Sequence, residues 1–149
     1  MIAILVIWLQ YIIDANVCAT SVDVLKYIKQ NANKNSMIDL APTIYRQRLI
    51  IEGYPDASVS DEQIKEYLSQ LSSKLGMVQL IPAVTHRSDL YGWAGWIHWE
   101  TSGAHFYAWE QPLLFFSVDI YTCKAFDPQV AIDYTKHYFK ATQIVSREA

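Results

Sequence analysis

The sequence has few of the residues that staple or tether a small protein. Two cysteines, Cys18 and Cys123, in 149 residues do not make a disulfide framework. No CxxC or HxxxH spacing occurs, which removes the common zinc arrangements and makes a reduced, cytoplasmic setting the expectation. Lys and Arg total 12 against 15 Asp and Glu, and they never gather into a basic stripe, so nucleic acid is a poor partner class. No apolar run is long enough to span a bilayer as a helix: residues 2–13 are interrupted by Gln10 and fall short of the roughly 20 residues required. That run also lacks the preceding Lys or Arg of a secretory signal, although Val17-Cys18-Ala19 has the form of a cleavage site. Export or membrane-surface association of this segment is therefore the alternative to an extra packed element, and Met37 is a candidate internal start.

What is present suits one domain. Hydrophobic residues make up 52% of the chain, enough for a core and too many for bulk disorder. Five Trp and ten Tyr fill cores and interfaces, or line a pocket for a flat or cationic ligand. Residues 1–36 read as an N-terminal extension. They comprise the apolar segment, a helix over 21–34 with Val22, Leu25, Tyr27 and Ile28 on one side, and an Asn-rich linker at 31–36. Residues 37–149 read as the main domain.

Within that domain, Arg46 to Gly53 has strand character. Ser60 with Gln63 three residues later makes a capping box, and Ile64, Tyr67, Leu68, Leu71 and Leu75 form one apolar helical stripe that Gly76 closes. Met77 to His86 reads as a strand, with Pro82 at an edge or bulge. Tyr91 to Gly95 reads as a loop. Trp96 to Trp109 reads as a hairpin turning at Ser102-Gly103, which sets Glu100 opposite His105 and His98 opposite Tyr107. Its first face then carries Trp96, His98, Glu100, His105, Tyr107 and Trp109, a polar and aromatic surface fit for a ligand. Its second face carries Ile97, Trp99, Thr101, Ala104, Phe106 and Ala108, which can pack on helices. Leu114 to Thr122 is a further strand. Asp127 caps a helix with Pro128 at its first position, and Gln143 to Arg147 closes the chain as a strand. The order β-α-β-β-β-β-α-β implies an α+β two-layer sandwich, a mainly antiparallel sheet with helices on one face.

Gly95, Ser102, Trp109 and the run Val118-Asp119-Ile120-Tyr121-Thr122-Cys123 carry a resemblance to the prokaryotic S-adenosylmethionine decarboxylases. The Gly-to-Ser and Ser-to-Trp spacings fit without gaps, and the likeness covers about residues 45–148. Thr85-His86 resembles a Ser-His pair of the family's second strand. The resemblance implies that Ser102 attacks the preceding carbonyl and that the chain cleaves itself between Thr101 and Ser102. The new amino terminus then holds a pyruvoyl group that forms a Schiff base with the substrate amine and withdraws electrons as carbon dioxide leaves. By the same resemblance Cys123 returns the proton. Tyr107 stands at the position of a processing histidine, His105 is its nearby substitute, and Glu100, Trp109 and Asp119 face the substrate. A homodimer with shared sites and a role in spermidine synthesis follow from the family.

The chain also departs from the pattern. Ala94 replaces a Ser, Tyr107 a His, Gly103 a His and Thr101 a common Glu. Two alternatives stand beside S-adenosylmethionine decarboxylation: a pyruvoyl enzyme acting on arginine or ornithine, and an unprocessed homologue that binds a ligand or partner. A third reading makes His98, Glu100 and His105 metal ligands, but no further ligand is evident.

Overall fold

A computed structural model describes residues 40–149. The expectations for residues 1–36 lie outside the described residues. Alternating burial builds the first strand, β1 (Gln47–Tyr54), with Leu49 and Ile51 facing inward. Ser60 accepts from the Gln63 backbone N–H while the Gln63 side chain accepts from the Ser60 N–H, so the capping box forms in full at the start of α1 (Asp61–Lys74). Four strands follow: β2 (Val84–Ser88), β3 (Gly92–Trp99), β4 (Ser102–Trp109) and β5 (Phe115–Thr122). Asp127 caps α2 (Pro128–Tyr138), and β6 (Gln143–Glu148) ends the chain.

The six strands form one sheet in the order β2-β3-β4-β5-β1-β6, with antiparallel pairing throughout. This is the expected α+β sandwich. α1 packs over β2, β3 and β4, α2 over β1, and the helices touch each other. Gly95 marks the closest approach, because a Cβ there would meet the Ile64 methyl at 2.5 Å. The core lies between the layers: Ile97, Phe106, Phe116, Val118 and Ile120 meet Ile64, Tyr67, Leu68 and Leu71, all almost wholly buried. Residues Pro42–Ala149 form one compact unit. Among the described residues no helix is long and apolar enough to cross a membrane.

Three local expectations are corrected. The second strand is Val84–Ser88 rather than 77–86; ahead of Pro82, which has no N–H to give a ladder, residues 77–83 contribute an isolated bridge from Gln79 to Trp99 and a Leu80 N–H bond to the His98 carbonyl. The expected loop 91–95 is mostly β3. The hairpin turns at Glu100-Thr101, two residues earlier than Ser102-Gly103, so Trp99 pairs with Ser102, His98 with Gly103, and Trp96 with His105. Trp99 supplies the reason. Its indole is buried and donates to the Ser72 hydroxyl at 2.7 Å, which anchors the end of β3 to α1 and ends the strand there.

Candidate functional site

The turn sits at one end of the sheet and opens onto a cleft of about 820 Å³. Each of its main polar groups comes from a strand end or from the face that, among the described residues, carries no helix. Type I′ turns that suit two-residue hairpin links hold both turn residues at positive φ. Neither Glu100 nor Thr101 does so; the residue after them, Ser102, has φ 129°. Ser102 pairs with Trp99 and Thr122, both facing the core, so strand alternation alone would send its side chain inward. Its hydroxyl instead lies 3.8 Å from the Cys123 thiol, and Cys123 is exposed.

The carbonyl that precedes Ser102 is also held. The Cys123 backbone N–H donates to the Thr101 oxygen at 2.9 Å. A donor fixed on this oxygen is what addition to the carbonyl requires, since negative charge gathers there. The site thus sets a hydrogen-bonded carbonyl next to a hydroxyl that lies beside a thiol.

Of the sequence-derived candidates, Ser102, Cys123, Thr101, Glu100, Asp119 and His105 all line this cleft. Tyr107 and Trp109 do not. They line a second, apolar cleft of about 350 Å³ at the far end of the hairpin, with His86, Ala94 and Trp93. Tyr107 is five residues along β4 from Ser102, about 17 Å at strand spacing, and cannot reach it in the same copy. Asp119 is engaged already: Arg48 grips it with two parallel bonds, Nε to Oδ1 at 2.9 Å and Nη2 to Oδ2 at 2.6 Å, and the carboxylate holds the guanidinium pKa above its usual value through hydrogen bonding and charge. His98, Glu100 and His105 do not converge as ligands, because the corrected register sets Glu100 in the turn and His98 beside Gly103. Among the described residues no group of three His, Cys, Asp or Glu could hold a metal ion.

The sequence assigned no site role to Arg48, or to Tyr121 and Thr122 of the run 118–123. Strand parity would have found the first two, since Arg48 pairs with Tyr121 and both lie on the open face with Asp119. For Thr122, the signal was its place in the run 118–123 that carries the family resemblance, with a hydroxyl at a core-facing position.

The comparisons with known proteins bear on this geometry. Residues 48–149 match the family model described as S-adenosylmethionine decarboxylase. Among solved structures, the adenosylmethionine decarboxylase from Aquifex aeolicus VF5 is similar at 19% identity with a TM-score of 0.59, over 71% of this chain and 89% of that one. No curated protein matches the sequence.

Proposed function

The chain belongs to the S-adenosylmethionine decarboxylase family, and from that premise we propose that it is a pyruvoyl-dependent decarboxylase that breaks its own Thr101–Ser102 peptide. Its proposed substrate is S-adenosylmethionine, and its product serves spermidine synthesis in the cytoplasm. The observation that carries the reading is the 3.8 Å contact between the Ser102 hydroxyl and the Cys123 thiol, at a carbonyl already bonded to the Cys123 N–H.

The self-cleavage balances with water as its only co-reactant. The Ser102 oxygen bonds to the Thr101 carbonyl carbon, its proton passes to the Ser102 nitrogen, and the C–N bond breaks, leaving an ester. Removal of the Ser102 α-proton and loss of the Cβ–Oγ bond release the Thr101 carboxylate and leave a dehydroalanine. Hydrolysis of that residue expels ammonia and leaves the pyruvoyl group. Cys123 is the titratable side chain in contact with Ser102 and serves as the proton carrier. The pyruvoyl carbonyl would supply the electron sink for loss of carbon dioxide. Cys123 then returns a proton to the substrate carbon. Glu100 and His105 orient the substrate in the cleft; His105, about 10 Å along β4 from Ser102, acts on substrate rather than on the breaking peptide.

Tyr107 and Trp109 enter through a second copy. The open face of the sheet places the second cleft at the opposite end of the hairpin from the first. A twofold partner docked on that face brings its second cleft against the Ser102 cleft. The homodimer is part of this reading.

Ala94 and Tyr107, in place of Ser and His, favour the rival of an unprocessed binding homologue. Intact mass of the purified protein decides between them. The decarboxylase reading expects two fragments, 1–101 and a pyruvoyl-bearing 102–149, no splitting of Ser102→Ala, and carbon dioxide from labelled S-adenosylmethionine. Release from arginine or ornithine instead would change the substrate and keep the mechanism. A wild-type chain that stays whole gives the case to the binding homologue.

A further inference from the structure

We propose that the hydroxyl pair of Thr101 and Thr122 positions the scissile carbonyl for self-cleavage, a task that this chain cannot assign to a Ser at 94 or a His at 107. The inference rests on the processing reading above. Thr122 is fully buried on the face where its strand neighbours are Ile120 and Val118, and Val would fill that place as well. Its hydroxyl is committed on both sides: it donates to Thr101 Oγ1 at 3.1 Å and accepts the Lys124 N–H at 3.0 Å. Thr101 Oγ1 in turn donates to Met77 Sδ at 3.5 Å. The Thr101 carbonyl takes the Cys123 N–H. Three consecutive residues, 122 to 124, therefore hold Thr101 by its side chain, by its carbonyl and through their own backbone. The Lys124 ammonium fixes this unit to the turn that follows α1 by donating to the Gly76 carbonyl at 2.6 Å, next to Met77.

The consequence is rotational. A peptide plane can turn about its flanking bonds, and the single Cys123 N–H bond to the Thr101 carbonyl, worth about 1 kcal/mol, restrains the 101–102 plane only weakly. Tying the Thr101 side chain to Thr122 removes that freedom, so the carbonyl carbon stays where the hydroxyl oxygen reaches it. A Glu at 101, common in the family, could not make this short hydroxyl contact. Thr101 and Thr122 are positioning residues; neither exchanges a proton with the reacting atoms.

The test follows splitting of the full-length chain by intact mass, with and without hydroxylamine, which cleaves the ester form and so reports how much of it accumulates. Thr122→Val, which removes the bond to Thr101 and the acceptor of the Lys124 N–H, should slow splitting about tenfold and should lower the hydroxylamine-trapped fraction in proportion. Thr122→Ser, which keeps the hydroxyl, should split within about twofold of wild type. Thr101→Val, at a half-buried turn position, should match Thr122→Val and serves if the latter does not fold. The double variant should be slowed by less than the product of the two single effects, because both remove the Thr101–Thr122 bond. A merely structural role would lower the melting temperature of Thr122→Val and leave the trapped fraction unchanged; that result, or Ser as slow as Val, overturns the proposal. A wild-type chain that neither splits nor yields hydroxylamine fragments overturns the processing reading and this inference together. Normal splitting in wild type and in both Val variants overturns this inference alone.

Discussion

At Ser102 the backbone sits at φ 129°, a region where L side chains cost about 1–3 kcal/mol and which persists only where the surroundings enforce it. Trp99 on one side and Thr122 on the other do the enforcing, through cross-strand pairing. Gly103, the next residue, has no positive φ; its need for Gly is steric, since a Cβ there would run into the Ile97 carbonyl oxygen. The histidine that the family carries at this place therefore has no room in this chain. The proposed break of the 101–102 peptide would release the strain at Ser102 and so be more favourable than in a relaxed turn. Two uncleavable variants separate strain from chemistry. Ser102→Gly should be more stable than Ser102→Ala by about 1 kcal/mol after the extra chain entropy of Gly is discounted, read from urea midpoints. A Ser102→Gly chain less stable than Ser102→Ala by the roughly 0.5–1 kcal/mol of glycine's chain entropy would mean that the turn stores no strain.

The β3–β4 hairpin shows what element-level reading recovers. Moving the turn by two residues changes each residue's partner by four, so His98 faces Gly103 instead of Tyr107. Four is even, and side chains alternate with period two; hence the face of Ile97, Trp99, Ala104, Phe106 and Ala108 is buried as expected and the face of His98, His105 and Tyr107 is open. Caps and periodicity located both helices for the same reason: they are local. The turn position was not legible, because it is set by Trp99 reaching Ser72 on a helix 27 residues away in sequence. The seam between the helices carries its own consequence. Tyr67 bonds the Thr135 hydroxyl at 2.7 Å and stacks on Tyr134, while Tyr138 donates to Glu66. Burial raises the Tyr67 phenol pKa well above its usual value, the Thr135 bond opposing; burial likewise raises Tyr134 and Tyr138, where Glu66 adds to it. The folded state keeps these protons above pH 10, where the unfolded chain releases them, so stability falls as pH rises past 10. Tyr67 alone accounts for a slope of up to about 1.4 kcal/mol per pH unit. Tyr67→Phe should cost about 1 kcal/mol at pH 7 and flatten that alkaline slope; urea unfolding at pH 7, 10.5 and 11 checks both, and an unchanged slope would remove Tyr67 from the account.

On the scale of the whole molecule, the proposed cleavage at Ser102 would divide the chain without dividing the fold. The first fragment supplies β1, β2, β3 and α1; the second supplies β4, β5, α2 and β6, and β1 lies between β5 and β6 while β3 lies against β4. Neither piece can leave without breaking the sheet. Among the described residues, helices cover one face of that sheet, and the other displays a chain of rings. His105, Tyr107, Trp109, Phe115 and Tyr54 follow one another at centroid spacings of 6.3, 5.9, 5.3 and 6.2 Å, and Tyr107 remains 42% exposed. A contiguous apolar strip of this kind on a separate chain favours association, and a dimer that buries about 800 Å² per copy has the area to cover it. The proposed partner also closes the site, because Tyr107 is too far along β4 to meet Ser102 in its own copy. Trp109→Asp places a charge at the middle of the strip, away from Ser102 and Cys123. Sedimentation should show wild type as a dimer and Trp109→Asp as a folded monomer, with carbon dioxide release from S-adenosylmethionine reduced at least tenfold in the monomer. A wild-type monomer with full turnover would break the link between the open face and the site.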